Sequence, residues 1–331
     1  MSLKVNVGFG EGVDPYVVGA NAYQEALNEL GSADADLAIV FASVEYDQQK
    51  MLDGIRSLSG STTIVGASTA GEITAAGPLN KHSVAIMLLK SDKMRFFAGV
   101  GNDIAHDPRT AGKVVADAVK AKANEPLKTF IMFPDILAGN GADEGSGVQD
   151  SLGEHFPVVG GAAGDDFKFE KTYQYLDGTA HSGSVVGLGI AGDFKFGIGV
   201  KHGWIPIGMP HTVTKSSGSV LHELDGKPAI EIYDNYFGKE EAAQLHTETL
   251  AKLAITYPLG MHVEGSDEML IRDPITVDEH GSITCAAEIP VGAEIQLMIG
   301  SREEAVTAAK EAAPNALSQL DGSQPKAVII V

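Results

Sequence analysis

The sequence predicts an α/β protein of mixed sheets, in which duplicated helix-strand-helix-strand-hairpin units are followed by a second αβ domain. Two continuous apolar runs, Leu37-Ala38-Ile39-Val40-Phe41 and Thr129-Phe130-Ile131-Met132-Phe133, have the composition of strands buried on both faces. Each is followed by a stretch of helical patterning, residues 47–58 and 143–152, and then by a strand ending in small residues. Matching positions recur at nearly constant intervals. Phe41 and Phe133 stand 92 apart, Gly66 and Gly160 stand 94 apart, and Gly8 and Gly99 stand 91 apart.

Taken in order, each unit opens on a glycine pair (Gly8 and Gly10, Gly99 and Gly101) and a helix with proline near its start, Pro15 or Pro108, where proline is tolerated. The strand after the second helix reads Ile64-Val65-Gly66-Ala67-Ser68-Thr69-Ala70-Gly71-Glu72 in one unit. In the other it reads Val158-Val159-Gly160-Gly161-Ala162-Ala163-Gly164-Asp165. Asp92 and Gly192-Asp193 mark the expected hairpin turns. A third unit is expected to begin at Gly197-Ile198-Gly199-Val200 and to resume at the terminal run Ala327-Val328-Ile329-Ile330-Val331. That ending reads as a truncated chain, the alternative being a natural terminal strand. Between these pieces lie a strand-rich part (212–224), an amphipathic helix (240–254) with Ala243, Leu245, Leu250 and Leu253 on one face, and a turn at Asp278-Glu279-His280-Gly281. The domain boundary is placed within 200–210. Residues 1–203 form the first domain as two repeats, 1–102 and 103–203, and 204–331 form the second.

Composition narrows the function. The net charge of −20 opposes nucleic acid and anionic membrane surfaces, and otherwise serves solubility. Cys285 is the one cysteine among 331 residues, so neither an intrachain disulfide nor a thiolate zinc cluster can form. Residues 1–6 show no apolar signal core, and no apolar run reaches ~18 residues. A cytoplasmic protein is expected.

The residues above resemble a known family. Phe41-Ala42-Ser43 and the segment from Val65 to Glu72 resemble the signature of the FIST N-terminal domain. Gly203-Trp204-Ile205-Pro206-Ile207-Gly208 and the segment 223–229 resemble the FIST C-terminal domain, as do Tyr257-Pro258-Leu259-Gly260, Leu270-Ile271-Arg272-Asp273-Pro274 and Ile289-Pro290-Val291-Gly292-Ala293. Members of that family continue past the last strand with a segment containing cysteine and arginine, which is absent here. The resemblance implies a bacterial, cytoplasmic sensory module that binds a small metabolite such as an amino acid. It also implies a signalling partner, such as a histidine kinase or a cyclic-nucleotide enzyme, and in some relatives haem and nitric oxide sensing. It brings no catalytic residues.

Candidate site residues follow from the turns. Ser68, Thr69, Gly71 and Glu72 combine a close backbone approach with hydroxyls and a carboxylate. The bland alternative has Glu72 capping local amides. Gly160, Gly161, Asp165 and Asp166 form the matching turn, and a cleft lined by both would suit a cationic or zwitterionic ligand. Arg272, one of five arginines, lies among apolar neighbours and needs a carboxylate, from a ligand or from Asp273. His246 and His262 are the axial candidates for the haem alternative; otherwise no cofactor is expected. Gly187-Leu188-Gly189-Ile190-Ala191-Gly192 matches a dinucleotide fingerprint, but a strand is expected after it where a helix should begin. An enzyme with an unrecognised site is the remaining reading.

Overall fold

The computed structural model describes residues 3–74, 77–78, 82–237, 253, 256–263 and 268–331. It divides into two compact units, Met1–Lys195 with Ser323–Val331, and Phe196–Gly322. The architecture is mixed α/β.

The first unit holds two copies of one pattern. The first copy is β1 (Lys4–Glu11), α1 (Pro15–Leu30), β2 (Leu37–Ser43), α2 (Gln48–Ser59), β3 (Thr63–Thr69), the short β4 (Ile73–Thr74) and β5 (Gly77–Pro78), and β6 (Ser83–Lys90). The second is β7 (Met94–Asn102), α3 (Pro108–Lys122), β8 (Leu127–Pro134), α4 (Gly141–Leu152), β9 (Val158–Gly160), the hairpin β10 (Gln174–Leu176) and β11 (Thr179–His181), and β12 (Ser184–Gly192). Strand orders agree: β1-β6-β2-β3 in one sheet and β7-β12-β8-β9 in the other, with β2–β3 and β8–β9 the parallel pairs. The β10–β11 hairpin of the second copy crosses to extend the first sheet beside β3. The expected turn at Asp92 is therefore no hairpin, since β6 and β7 lie in different sheets.

Helix starts follow from chemistry shared by the copies. Asp14 and Asp107 cap α1 and α3 immediately before Pro15 and Pro108, while Asp47 and Asn140 cap α2 and α4. Strand β2 is buried on both faces. Ala38, Val40 and Ala42 pack outward under α1 and α2, whereas Leu37, Ile39 and Phe41 face the second sheet. On β8, Phe130 and Met132 pack under α3 while Ile131 and Phe133 face inward. Phe41 and Phe133 meet edge to face at 5.9 Å between the sheets. The unit is thus helices, sheet, sheet, helices.

Each helix pair crosses at glycines. A β-carbon added at Gly19 would lie 2.4 Å from the Met51 carbonyl oxygen, and one at Gly54 2.1 Å from that of Tyr16. Ninety-three positions on, Gly112 faces the Glu144 carbonyl at 2.0 Å and Gly147 faces that of Arg109 at 1.9 Å. The crossing is the same in both copies, and Met51 in one corresponds to Glu144 in the other.

The second unit is built on one sheet, ordered β17-β16-β20-β13-β14-β19-β18 with β15 on β14. Its strands are β13 (Trp204–Ser217), β14 (Val220–Leu224), β15 (Lys227–Pro228), β16 (Leu259–Met261), β17 (Leu270–Arg272), β18 (Pro274–Val277), β19 (Ile283–Cys285) and β20 (Glu294–Gly300). The described helices are α5 (Glu231–Phe237) and α6 (Arg302–Ser318). The expected turn at Asp278 joins β18 to β19, its side chain accepting the amides of His280 and Ser282. Most of the expected helix 240–254 lies outside the described residues, but Leu253 packs on this unit's core.

The expected strand at Gly197–Val200 does not form. Gly197, Gly199 and Gly203 instead bring the chain against the backbone of α6, where added β-carbons would meet Ala316, Ala312 and Ala305. The terminal run also lacks a ladder. Ile329 packs on the core between the two sheets of the first unit, while Val328, Ile330 and Val331 are exposed. No described helix is long and apolar enough to cross a membrane.

Gly147→Ala should lower unfolding free energy by about 1–3 kcal/mol, since the crowding atom is backbone and cannot rotate away. Gly145→Ala, in the same helix with open space around it, should be neutral or stabilising by up to ~1 kcal/mol. Urea denaturation of the two variants measures both.

Candidate functional site

Strands β3 and β9 end on the two predicted turns, and Ser68 joins them. Its hydroxyl donates to the Gly164 carbonyl at 2.8 Å and accepts from the Tyr173 amide at 2.9 Å. Its backbone completes the join, pairing with the Tyr173 carbonyl and the Gly164 amide. Ser68 is buried and its hydroxyl is fully engaged in holding the turns together.

Glu72 is the centre of the first turn, with 3% of its surface exposed. Thr69 and Ser83 donate their hydroxyls to its two carboxyl oxygens, and the Gly71 amide donates to Thr69. Burial pushes the Glu72 carboxyl above its ordinary pKa, and the charge of Asp166 adds to the rise. Tyr46 and Tyr175 lie close enough to feel the charge of Glu72. Burial, followed by the charge of Glu72, lifts the Tyr46 phenol to about 12 and raises that of Tyr175.

The second turn supplies the matching acid. Glu72 and Asp166 are 94 positions apart, the interval that relates Gly66 to Gly160. Asp165 accepts the amides of Phe169, Glu170 and Lys171, at 3.2, 2.7 and 3.2 Å, and so caps the loop that follows. Within that loop Asp166, Phe167 and Phe169 hold left-handed backbone (φ +57°, +59° and +55°), an uncommon state for residues with side chains. Lys168 anchors the loop to Glu45, and Phe167 and Phe169 are exposed. One carboxyl oxygen of Asp166, Oδ2, is inaccessible to solvent and has no hydrogen-bond partner.

The glycines of this group act in packing. Gly66 and Gly160 lie against the carbonyls of Val40 and Met132, and Gly161 lies against Val331.

Arg272 belongs to the second unit. Its Nε donates to the Glu288 carbonyl at 2.8 Å and its Nη1 to that of Ile271 at 3.1 Å. Backbone carbonyls, rather than the expected carboxylate of Asp273, satisfy it. His246 lies outside the described residues. His262 lines a cavity of about 300 Å³ in the second unit with His202, Trp204, Met269 and Met298, and its Nε2 lies 3.2 Å from Gln296 Oε1. Glu268, Glu304 and Glu311 line the same cavity, and its one lysine, Lys201, pairs with Glu268. Those charges are ill suited to the two propionates of a haem.

Two further acids escape the turn pattern. Glu144, in the first turn of α4, has no exposed surface, and neither of its carboxyl oxygens has a hydrogen-bond partner. Asp135, just past β8 and 2% exposed, accepts the amides of Leu137 at 3.2 Å and Gly183 at 2.9 Å. Burial pushes the Glu144 carboxyl up to about 8, with the charges of Asp135 and Asp143 adding to the effect. The signal was present in the repeat: at an interval of 93 residues, Glu144 falls where the first copy has the buried Met51.

The described residues form a repeated α/β unit with buried acids at its turns, followed in the chain by a second αβ unit. Profiles of the FIST N domain and the FIST C domain match residues 36–227 and 229–331. The chain belongs to the FIST family, whose domains are sensory domains of signal transduction. An uncharacterized protein of Methanocaldococcus jannaschii is 26% identical over 227 residues, which span 66% of this chain and 44% of that protein. An uncharacterized Mycobacterium tuberculosis protein is 22% identical over 328 residues, covering 97% of this chain and 82% of its own length. Among solved structures, a cyanuric acid hydrolase from A. caulinodans overlaps 58% of this chain and 72% of its own, at 12% identity and a TM-score of 0.34.

The pKa of Glu144 has a consequence for stability. Its folded value of about 8 exceeds that of an unfolded glutamate, near ~4.3, so the folded state keeps a proton that the unfolded chain releases. Its contribution is fully present below about pH 4 and is lost as pH rises toward 8. In metal-free buffer, wild type should lose roughly 4 kcal/mol more than Glu144→Gln between pH 4 and pH 9, read from urea unfolding at each pH.

Proposed function

We propose that this chain is a sensory module whose first unit binds a small cationic or zwitterionic metabolite, an amino acid being the simplest such ligand, through Glu72 and Asp166. One observation supports this above the others. The two copies of the repeat bring acids from equivalent positions close enough for the charge of Asp166 to add to the rise of the Glu72 pKa, and Asp166 keeps a buried oxygen with no donor. An ammonium group supplies both the missing donor and the opposing charge.

The loop after Asp165 gives the signal a route. A cation drawn to Asp166 acts on the residue that begins the left-handed stretch, and Phe167 and Phe169 ride on that stretch at the surface. Strained backbone of this kind stores ~1–3 kcal/mol per residue, enough for ligand binding to shift the loop between arrangements. A partner such as a histidine kinase or a cyclic-nucleotide enzyme would read the phenylalanines.

Thermal unfolding across a panel of amino acids and small amines tests the reading. A true ligand at 100 times its Kd adds ~2.7 kcal/mol. Asp166→Asn and Glu72→Gln should each abolish the rise in Tm. Absence of any shift across the panel, or a shift that both variants retain, defeats the proposal.

A further inference from the structure

Glu144 is a buried carboxyl that the fold does not require. The first copy of the repeat closes the same helix crossing with Met51, also fully buried, and places Ser43 where the second copy has Asp135. An apolar side chain therefore fills this position without loss of architecture. The second copy instead sets two carboxyls near each other inside the protein, which costs several kcal/mol unless one keeps its proton or something of opposite charge accompanies them.

No side chain does. Arg109, on the facing helix α3, is committed to Asp150 through Nε and Nη2 at 2.7 and 2.9 Å, and Lys113 is committed to Asp117. Asp135 receives two backbone amides, one on each oxygen, which leave lone pairs on both. Both oxygens of Glu144 are inaccessible and unpartnered. Gly139 flanks Oε1, and a β-carbon there would come within 2.9 Å of it, so the position bordering the carboxyl is the one without a side chain.

We propose that Glu144 and Asp135 hold one divalent metal ion of the hard class, magnesium or calcium, in the second repeat. The donors are all oxygen, which selects hard cations over zinc or copper. Two carboxylates balance a double charge, and magnesium commonly binds through one or two carboxylates while keeping waters for its other positions. This site is separate from Glu72 and Asp166 and does not depend on the ligand proposed there.

The test uses the full chain, stripped with a chelator and titrated with magnesium, calcium or manganese chloride against sodium chloride of equal ionic strength. Thermal unfolding and calorimetry should show saturable binding of one ion per chain, with a rise of several degrees in Tm. Glu144→Met, which installs the first repeat's residue, should keep the wild-type circular dichroism and lose the binding. Asp135→Asn should weaken it at least tenfold. Three results would overturn the assignment: no divalent ion binding up to about 10 mM, beyond the weakest extracellular calcium modules; undiminished binding in Glu144→Met; or stabilisation by methylammonium and by none of the metals.

Discussion

The constraint behind the first unit is that β2 and β8 are each buried on both faces. A strand in that position exposes no face to water, so its side chains must be apolar throughout, and polar chemistry is displaced to the strand ends. Leu37 to Phe41 and Thr129 to Phe133 meet that demand, and Phe41 against Phe133 locks the two sheets face to face. The buried polar groups of the turns then gather near the strand ends. Ser68 lies near the end of β3, Glu72 follows that strand, and Asp165 and Asp166 follow β9, at the edge where open α/β sheets generally present ligand sites.

The turns meet because Ser68 is fully committed. Four hydrogen bonds tie it to Gly164 and Tyr173, so the turn of one copy is fastened to the chain of the other. Crossing of the β10–β11 hairpin into the first sheet reinforces that exchange. The copies are therefore not two independent halves. The carboxyl of Glu72 already senses the charge of Asp166, at the start of the loop beyond it.

Most of this was legible in the chain. Intervals of 91 to 94 residues revealed the duplication, because buried strands and close helix crossings fix spacing tightly. The turns were legible because small residues followed by an acid mark a strand end. Pairing partners were not, because an apolar run does not say which sheet it joins, and β6 and β7 part company at Asp92. Gly197 and Gly199 misled for a related reason: glycine marks a close approach without saying to what, and here the neighbour is α6. Arg272 among apolar residues pointed to a carboxylate, but carbonyls of Glu288 and Ile271 serve it, a solution no residue pattern reveals. Asp143 and Glu144 stand side by side in the sequence, and only the fold shows that Glu144 is fully buried while Asp143 is half-buried.

Comparing the copies separates frame from chemistry. Positions that set backbone against backbone agree: Gly19 with Gly112, Gly54 with Gly147, Gly66 with Gly160. Any side chain there would collide with a carbonyl that cannot move, so the frame permits one residue. Side-chain positions inside the same frame are free to diverge, and they do so where Met51 answers to Glu144 and Ser43 to Asp135. Both changes put an ionisable carboxyl in the dry interior, against the direction that stability alone would favour. Glycine-to-carbonyl contacts hold each helix pair in place whatever fills the space beside them, and this lets one copy carry a pair of carboxyls that its twin does without.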